Sequence, residues 1–246
     1  VVCNMDAIRN IAMKYNVPVI EDAAQAMLST YNGSHAGTLG QLGTFSFHES
    51  KNYTSAGEGG LLLVNHEQWI QRSEIIREKG TNRSQFFRGM VDKYTWVDIG
   101  SSYLPSEILA AFLFAQLESW HQIQQKRQQI WNTYQVELKK WAEANGVKQP
   151  FIPAHCEQAY HMYYLLFPCL EKRQRYIEYL KEHGILSVFH YLPLHLSDMG
   201  QKFGGKEGDC PVTEEMSERL VRLPFFVSLT AAEQEQIIQH TIQFSV

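Results

Sequence analysis

The chain has 246 residues, 44% of them hydrophobic and 12% aromatic, with a net charge of −4. That suits one large globular unit or two modest domains, and slight acidity without a basic stripe excludes nucleic-acid binding by charge alone. No apolar run approaches the roughly 18–20 residues needed to span a bilayer, and no secretory leader is recognisable. A cytoplasmic protein without membrane contact is therefore expected. Cys3, Cys156, Cys169 and Cys210 are scattered without a CxxC pair, which reads as free thiols in a reducing compartment. The chain opens in mid-pattern, at Val1-Val2-Cys3, so a missing upstream part is expected.

Taken in order, Asp6 to Tyr15 places Ile8, Ile11, Ala12 and Tyr15 at helical spacing and predicts one apolar face. Val17 to Ile20 reads as a short buried strand that ends at Glu21-Asp22. Phe45 to Phe47 and Leu61 to Val64 are two further strands. His66 to Lys79 reads as a helix, with Gly80 where a C-cap belongs. Residues 81–102 form a polar, aromatic, irregular stretch, and a loop that long inside a compact domain is usually functional. Pro105 opens a helical region to about Asn145, broken near Ser119-Trp120. Residues 146–156 read as a linker. A smaller unit follows: strand 160–167, helix 171–183, strand 185–189 and a last helix 231–244. Phe112, Phe114, Leu117 and Trp120 form a stripe expected to be helix core or dimer surface.

The chemistry gathers around two strand ends. Asp22 follows the first strand, and ligands of open α/β sheets bind beyond the carboxyl ends of strands. A carboxylate there can hold a cationic ring nitrogen by a charge-assisted hydrogen bond. Lys51 follows the next strand, in "TFSFHESKNYTSAGEGGLLLVN". A partly desolvated lysine can form a Schiff base. Pyridoxal phosphate enzymes need this pair, a lysine for the aldehyde and an acid for the pyridinium nitrogen. Ser46 could donate to the cofactor phosphate, and Gln25 could contact the ring. Each signal alone has a plainer reading: Asp22 as a cap, Lys51 as a solvated edge residue, the glycines after it as a turn.

Their order and surroundings lift them. "EDAAQA", "GTFSFHESKNYTSAGEGGLLLVN", "IIREKGTNRSQF" and "IGSSYLPSEILAAF" together resemble the sugar-nucleotide aminotransferases, the StrS-like enzymes of fold-type I. The resemblance covers essentially the whole chain. It implies an α/β protein: residues 1–119 as the C-terminal part of the large cofactor-binding domain, and residues 120–246 as a long helix and a small α+β domain. It makes Lys51 the Schiff-base lysine and proton shuttle, Asp22 the partner of the pyridinium nitrogen, Gln25 a residue against the ring, and Ser46 a phosphate ligand. "VFHYLPLH" matches the substrate-side motif, so His190 and Tyr191 would approach the sugar nucleotide's phosphates. Active sites of this family form between two subunits, which implies a homodimer.

Two departures accompany the resemblance. Family members carry roughly a further third of chain upstream, which supplies much of the phosphate cup. Many relatives place an Asn where this chain has Ser102, and that Asn reaches the phosphate across the dimer interface. Arg83 and Arg88 could meet a pyrophosphate, since guanidinium forks suit phosphate oxygens, or stand as ordinary loop cations. The histidines lack the spacing of a zinc site, so no metal is expected. The implied reaction moves an amino group from an amino acid, L-glutamate as the expected donor, to the C4 ketone of a dTDP-linked 6-deoxyhexose. Two rivals stand beside it. One is sugar dehydration on the same scaffold, in which the lysine is replaced by histidine; the other is a non-catalytic fragment that keeps only a dimerisation surface.

Overall fold

The computed structural model describes residues 1–246 and separates into two compact units. One comprises residues 1–120 with 152–161; the other comprises residues 121–151 with 162–246.

In the first unit, helix α1 (Met5–Tyr15) starts on Asn4, whose side chain accepts the Ala7 amide, and stops at Asn16 in the left-handed region. The face expected to be buried is not. Met5 and Ala12 are buried, whereas Ile8, Ile11 and Tyr15 are exposed. Strand β1 (Ile20–Asp22) also lies later than the apolar run 17–20 predicted, and both Val17 and Ile20 are exposed. Pro18 has no amide to give a ladder, so the chain engages its neighbour only from Val19, whose N–H meets Gln41 Oε1 at 2.7 Å. Short strands β2 (Thr30–Tyr31) and β3 (Ser34–His35) pair antiparallel. Strand β4 (Leu42–Ser46) then runs parallel to β1, and β5 (Gly60–Val64) returns antiparallel on its other side.

Helix α2 (Ile70–Arg77) follows a short 3₁₀ turn. Gly80 closes its end at φ +75°, donating to the Ile75 carbonyl at 2.9 Å. A Cβ at Gly80 would lie 1.8 Å from the Asp98 carbonyl oxygen, so the glycine lets the far end of the 81–99 loop close onto the helix. That loop contains one short helix, α3 (Arg83–Phe87). Helix α4 (Glu107–Glu118) starts on Ser106, which caps the Leu109 amide. It is largely apolar and yet buries no residue; Ile108, Phe112 and Phe114 are exposed.

Helices α5 (Trp120–Glu137) and α6 (Lys139–Asn145) complete the helical region, with the break at Ser119 where the sequence placed it. The stretch 152–161 belongs with the first unit: β6 (Cys156–Glu157) pairs with β2, and Cys156 packs with Met5 and Tyr31.

The second unit carries β7 (Tyr164–Leu166), α7 (Leu170–Glu182), β8 (Val188–Phe189), α8 (Asp198–Lys202), α9 (Pro211–Arg219), β9 (Leu220–Arg222) and α10 (Ala231–Gln243). Its sheet has the order β7-β9-β8, all antiparallel. The core is tyrosine-rich. Tyr134, Tyr163 and Tyr176 are fully buried, and each hydroxyl has a partner: the Pro224 carbonyl at 3.0 Å, Gln135 Oε1 at 3.0 Å and Thr241 Oγ1 at 2.7 Å. Burial pushes all three phenols well above their ordinary range, because the phenolate would have to form away from water. The last helix starts on a capping box, Thr230 with Glu233.

Candidate active site

The pleat divides the residues of β1 and β4 between two faces. Asp22 pairs with Thr44, and Ser46 lies two residues further along β4, so Asp22, Thr44 and Ser46 share one face. Glu21, Gly43 and Phe45 take the other. On that second face the buried Glu21 carboxylate accepts the backbone amides of Gly37 at 2.9 Å, Gly40 at 2.6 Å and Leu39. A Cβ on Gly43 would stand 2.1 Å from the Gly37 carbonyl oxygen, so the 37–40 loop lies directly on this glycine. The first face carries no such clamp. Asp22 is exposed there, with Oδ1 accepting the Ala24 amide at 3.1 Å and no partner on Oδ2.

Because β1 and β4 are parallel, their carboxyl ends lie together. Asp22 and Ser46 stand at that edge, and Lys51 follows in a turn whose amide donates to the His48 carbonyl at 2.9 Å. The loop carrying Lys51 is tied at its base. The Phe47 amide meets the Gly59 carbonyl at 2.7 Å, and the Ser55 amide meets the Phe47 carbonyl at 2.9 Å. The buried Ser55 hydroxyl lies between the Phe47 and Glu58 carbonyls at 3.0 and 2.9 Å. A Cβ on Gly59 would meet Ser55 Oγ at 2.6 Å, which accounts for one glycine of the Gly-rich turn. His48 braces the loop: its Nδ1 contacts the Ser50 hydroxyl at 2.8 Å and accepts the Ser50 amide at 3.1 Å.

Two buried residues directly after Lys51 fix its place. Asn52 Nδ2 donates to the Ala159 carbonyl at 2.7 Å, and the Tyr53 hydroxyl donates to the Trp120 carbonyl at 3.3 Å. Lys51 itself is half-buried, and its amine makes no hydrogen bond or ion pair with the rest of the chain. Ala24, Gln25, Met27, Ser46, Lys51, Asn52, Tyr53 and His161 line one small cavity of about 10 Å³. Ser46 Oγ accepts the His48 amide at 3.4 Å, and its hydroxyl proton has no acceptor within the chain.

Asp22, with one oxygen idle, and Ser46 thus stand at the carboxyl edge of parallel strands, and the half-buried Lys51 follows in the turn just beyond it. The model of the DegT/DnrJ/EryC1/StrS aminotransferase family matches residues 1–242. The chain belongs to that family.

It is similar to an uncharacterized protein of Methanocaldococcus jannaschii, 34% identical over 235 residues, which are 93% of this chain and 60% of that protein. It is also similar to the dTDP-3-amino-3,6-dideoxy-alpha-D-galactopyranose transaminase of Aneurinibacillus thermoaerophilus, 29% identical over 240 residues, with 96% and 61% of the two chains covered. Among solved structures, an aminotransferase from Psychrobacter cryohalolentis superimposes with a TM-score of 0.88 at 25% identity, over 97% of this chain and 64% of that one. The chain thus spans about 60% of the length of the relatives it matches. The fold is that of the fold-type I enzymes, and pyridoxal phosphate is the cofactor of the family. The donors at this edge suit it chemically: a primary amine, a carboxylate, a hydroxyl with a proton to give, and the Gln25 amide.

None of Ser102, Arg83, Arg88, His190 and Tyr191 lines the Lys51 cavity. Ser102 is exposed and forms a bridge with Glu78. Arg83 is exposed and stacks over the Phe87 ring at 5.1 Å. Arg88 is engaged in an ion pair with Glu74. In the second unit, His190 follows β8 with its Nδ1 buried and unpaired, and Tyr191 is 71% exposed with the Arg222 guanidinium 5.6 Å from its ring. Burial, together with the Arg222 charge, holds the His190 imidazole below its ordinary range. Sequence reasoning missed Asn52, Tyr53 and His161 as residues of the Lys51 cavity. Asn52 and Tyr53 were in view, next to Lys51, but only the fold brings His161 from 110 positions away.

Proposed function

We propose that the protein containing this chain is a sugar-nucleotide transaminase. It transfers an amino group from an amino acid, L-glutamate, to the C4 ketone of a dTDP-4-keto-6-deoxyhexose. Within the family, "FSFHESKNYT" and its neighbouring motifs resemble the dTDP-4-amino-4,6-dideoxygalactose transaminases of the enterobacterial common antigen pathway. The observation that carries the reading is Lys51, a half-buried amine without an ionic partner, placed at the strand ends with Asp22 and Ser46.

Pyridoxal phosphate, when bound, supplies an aldehyde for imine exchange and a ring that stores the electron pair released when a Cα–H bond breaks. Lys51 would hold it through the ε-nitrogen. The same amine, when free, would move the proton between the carbon that loses it and the carbon that gains it. The Asp22 carboxylate keeps the ring nitrogen protonated by a charge-assisted hydrogen bond. The Ser46 hydroxyl donates to the phosphate, and Gln25 lies against the ring. Ser102 contributes a hydroxyl to the phosphate of a partner subunit. His190, Tyr191 and Arg83 meet the pyrophosphate of the sugar nucleotide. Most of the rate would come from holding these groups in place rather than from new chemistry on the protein.

A homodimer fits the same reading. Helix α4 exposes Ile108, Phe112 and Phe114, and the 81–104 loop exposes Phe87, Trp96 and Ile99, apolar side chains of the kind a subunit interface covers. Dehydration is disfavoured by the lysine at position 51, since the dehydratases of this scaffold carry histidine there. Mass spectrometry of dTDP-4-keto-6-deoxyglucose incubated with L-glutamate and the full-length holoenzyme tests the proposal. A mass shift of ketone to amine is expected, and an unchanged ketosugar would sink it.

A further inference from the structure

His48 stands where three parts of the Lys51 turn meet. Its amide donates to Ser46 Oγ at 3.4 Å, its carbonyl accepts the Lys51 amide at 2.9 Å, and its backbone bridges to Gly57. The ring closes the turn from the side: Nδ1 lies 3.1 Å from the Ser50 amide nitrogen and 2.8 Å from the Ser50 hydroxyl. A backbone amide can only donate, so Nδ1 is the accepting nitrogen of a neutral ring and Nε2 carries the proton. Nε2 lies 3.7 Å from Glu58 Oε1, on a side chain 86% exposed, and that carboxylate is the charged group set against the ring. Accepting the N–H two residues on is what an Asn side chain does in an Asx turn. Here an imidazole takes that place, and an imidazole titrates.

We propose that His48 is a positioning residue for Lys51, holding the turn closed only while its imidazole is neutral. The inference rests on the reading of Lys51 as the reactive amine. A proton arriving on Nδ1 turns an acceptor into a donor. The Ser50 hydroxyl can adapt, because it accepts as well as donates, but the Ser50 amide cannot, and it loses its partner directly before Lys51. Glu58 faces Nε2, which carries a proton in both states, so its attraction for the cation does nothing to restore the amide contact. The closed turn binds the neutral ring. Its hold on Lys51 is therefore complete above the titration of His48 and is lost as pH falls through it. Ser46 and Lys51 flank this histidine and are both bonded to its backbone, so the turn that loosens is the one that grips the cofactor.

The test uses the full-length protein and needs no turnover. Pyridoxal phosphate is titrated into wild type, His48→Asn and His48→Phe, and the absorbance of the lysine-bound form gives the affinity. Asn keeps an oxygen for the Ser50 amide and does not titrate; Phe keeps a ring without an acceptor. At about pH 8, wild type and His48→Asn should bind alike and His48→Phe about threefold to tenfold more weakly, the span of one neutral hydrogen bond. Towards about pH 5, across the range in which histidines change charge, wild type should fall relative to His48→Asn by the same factor. That fall should follow the His48 midpoint measured by NMR. A constant ratio of wild type to His48→Asn, or a His48→Phe variant equal to wild type at pH 8, would overturn the proposal and leave the reading of Lys51 standing. Absence of the lysine-bound absorbance in wild type would overturn that reading and, with it, this inference. Nitrogen-15 spectra of the wild-type protein give a check independent of either variant folding: an Nε2–H neutral tautomer is expected for His48, and an Nδ1–H neutral tautomer refutes the role given to it.

Discussion

Replacing Glu21 by Gln isolates the clamp beneath the site. Its carboxylate accepts three backbone amides, those of Gly37, Leu39 and Gly40, and is buried. A hydrogen bond to a charged group contributes roughly 1.5–3 kcal/mol, and one between neutral groups about 0.5–1.5. A glutamine keeps one accepting oxygen, which can retain Leu39 and Gly40 as neutral bonds, each weaker by about 1 kcal/mol. Its NH₂ then meets the Gly37 N–H, donor against donor, and that bond is lost at about 1.5 kcal/mol or more. The losses reach about 3.5 kcal/mol, offset in part because a neutral amide is easier to bury than a carboxylate. A net local loosening of about 3 kcal/mol is expected, or roughly a hundredfold at 1.4 kcal/mol per decade. Amide hydrogen exchange reads it directly in the full-length protein: Gly37, Leu39 and Gly40 should exchange about a hundredfold faster, while the Leu165 and Val221 amides of the second unit stay unchanged. Exchange at Gly37 within about threefold of wild type would show that the carboxylate is not what holds the loop.

Three further outcomes are expected. Lys51→Ala should abolish turnover and the absorbance of the covalently held cofactor, with far-ultraviolet circular dichroism unchanged, because Asn52 and Tyr53 rather than Lys51 anchor the loop; transamination near the wild-type rate would remove Lys51 from the mechanism. Asp22→Asn should cost about 4 kcal/mol of transition-state stabilisation, near three orders of magnitude in kcat/KM, with weakened cofactor binding, and unchanged kinetics would leave Asp22 as the cap of the Ala24 amide alone. His190 should titrate by NMR below the ordinary value of about 6.5. The group is depressed in the folded state by burial and Arg222, so the folded chain resists its protonation and loses stability as pH falls below the unfolded value; a midpoint at or above 6.5 contradicts the buried environment.

Much of the fold could be read from local chemistry. The helix stop at Gly80, the break at Ser119 and the capped start of α10 all rest on residues whose own conformational or capping preferences announce them. What escaped is governed by partners distant in sequence. Strand β9 follows α9 without an intervening residue, Arg219 ending the helix and Leu220 opening the strand. No glycine or proline marks the change, and a three-residue strand has too little period to show, although β9 is the centre of its sheet. The predicted apolar face of α1 failed for a different reason. Periodicity says which residues share a face, not whether anything covers it, and Ile11 and Tyr15 remain 60% and 65% exposed. In the candidate site, Lys51, Asp22, Ser46 and Gln25 were legible because they stand at or just beyond strand ends. His161 was not, since an isolated histidine in "AYHMYY" carries no local signal until the Ala159 carbonyl and Asn52 are brought beside it.

The consecutive carboxylates Glu21 and Asp22 show how one strand divides two tasks. In sequence they are chemically alike and equally good candidates for a ligand. The pleat sends them to opposite faces of β1, and the partners waiting on each face decide what each can do. Glu21 meets three amides of a loop that Gly43 allows to lie flat on the sheet, so both of its oxygens are committed before any ligand arrives. Asp22 meets one amide, keeps Oδ2 idle, and shares its face with Ser46. Shifting the β1 register by one residue would exchange the two roles, placing the committed carboxylate at the ligand edge and the idle one under the loop. The pairing of Glu21 with Gly43 and of Asp22 with Thr44 is therefore as much a part of the site as the carboxylate itself. The clamp on the far face is what fixes that register, because Glu21 can satisfy the Gly37, Leu39 and Gly40 amides only where it now stands.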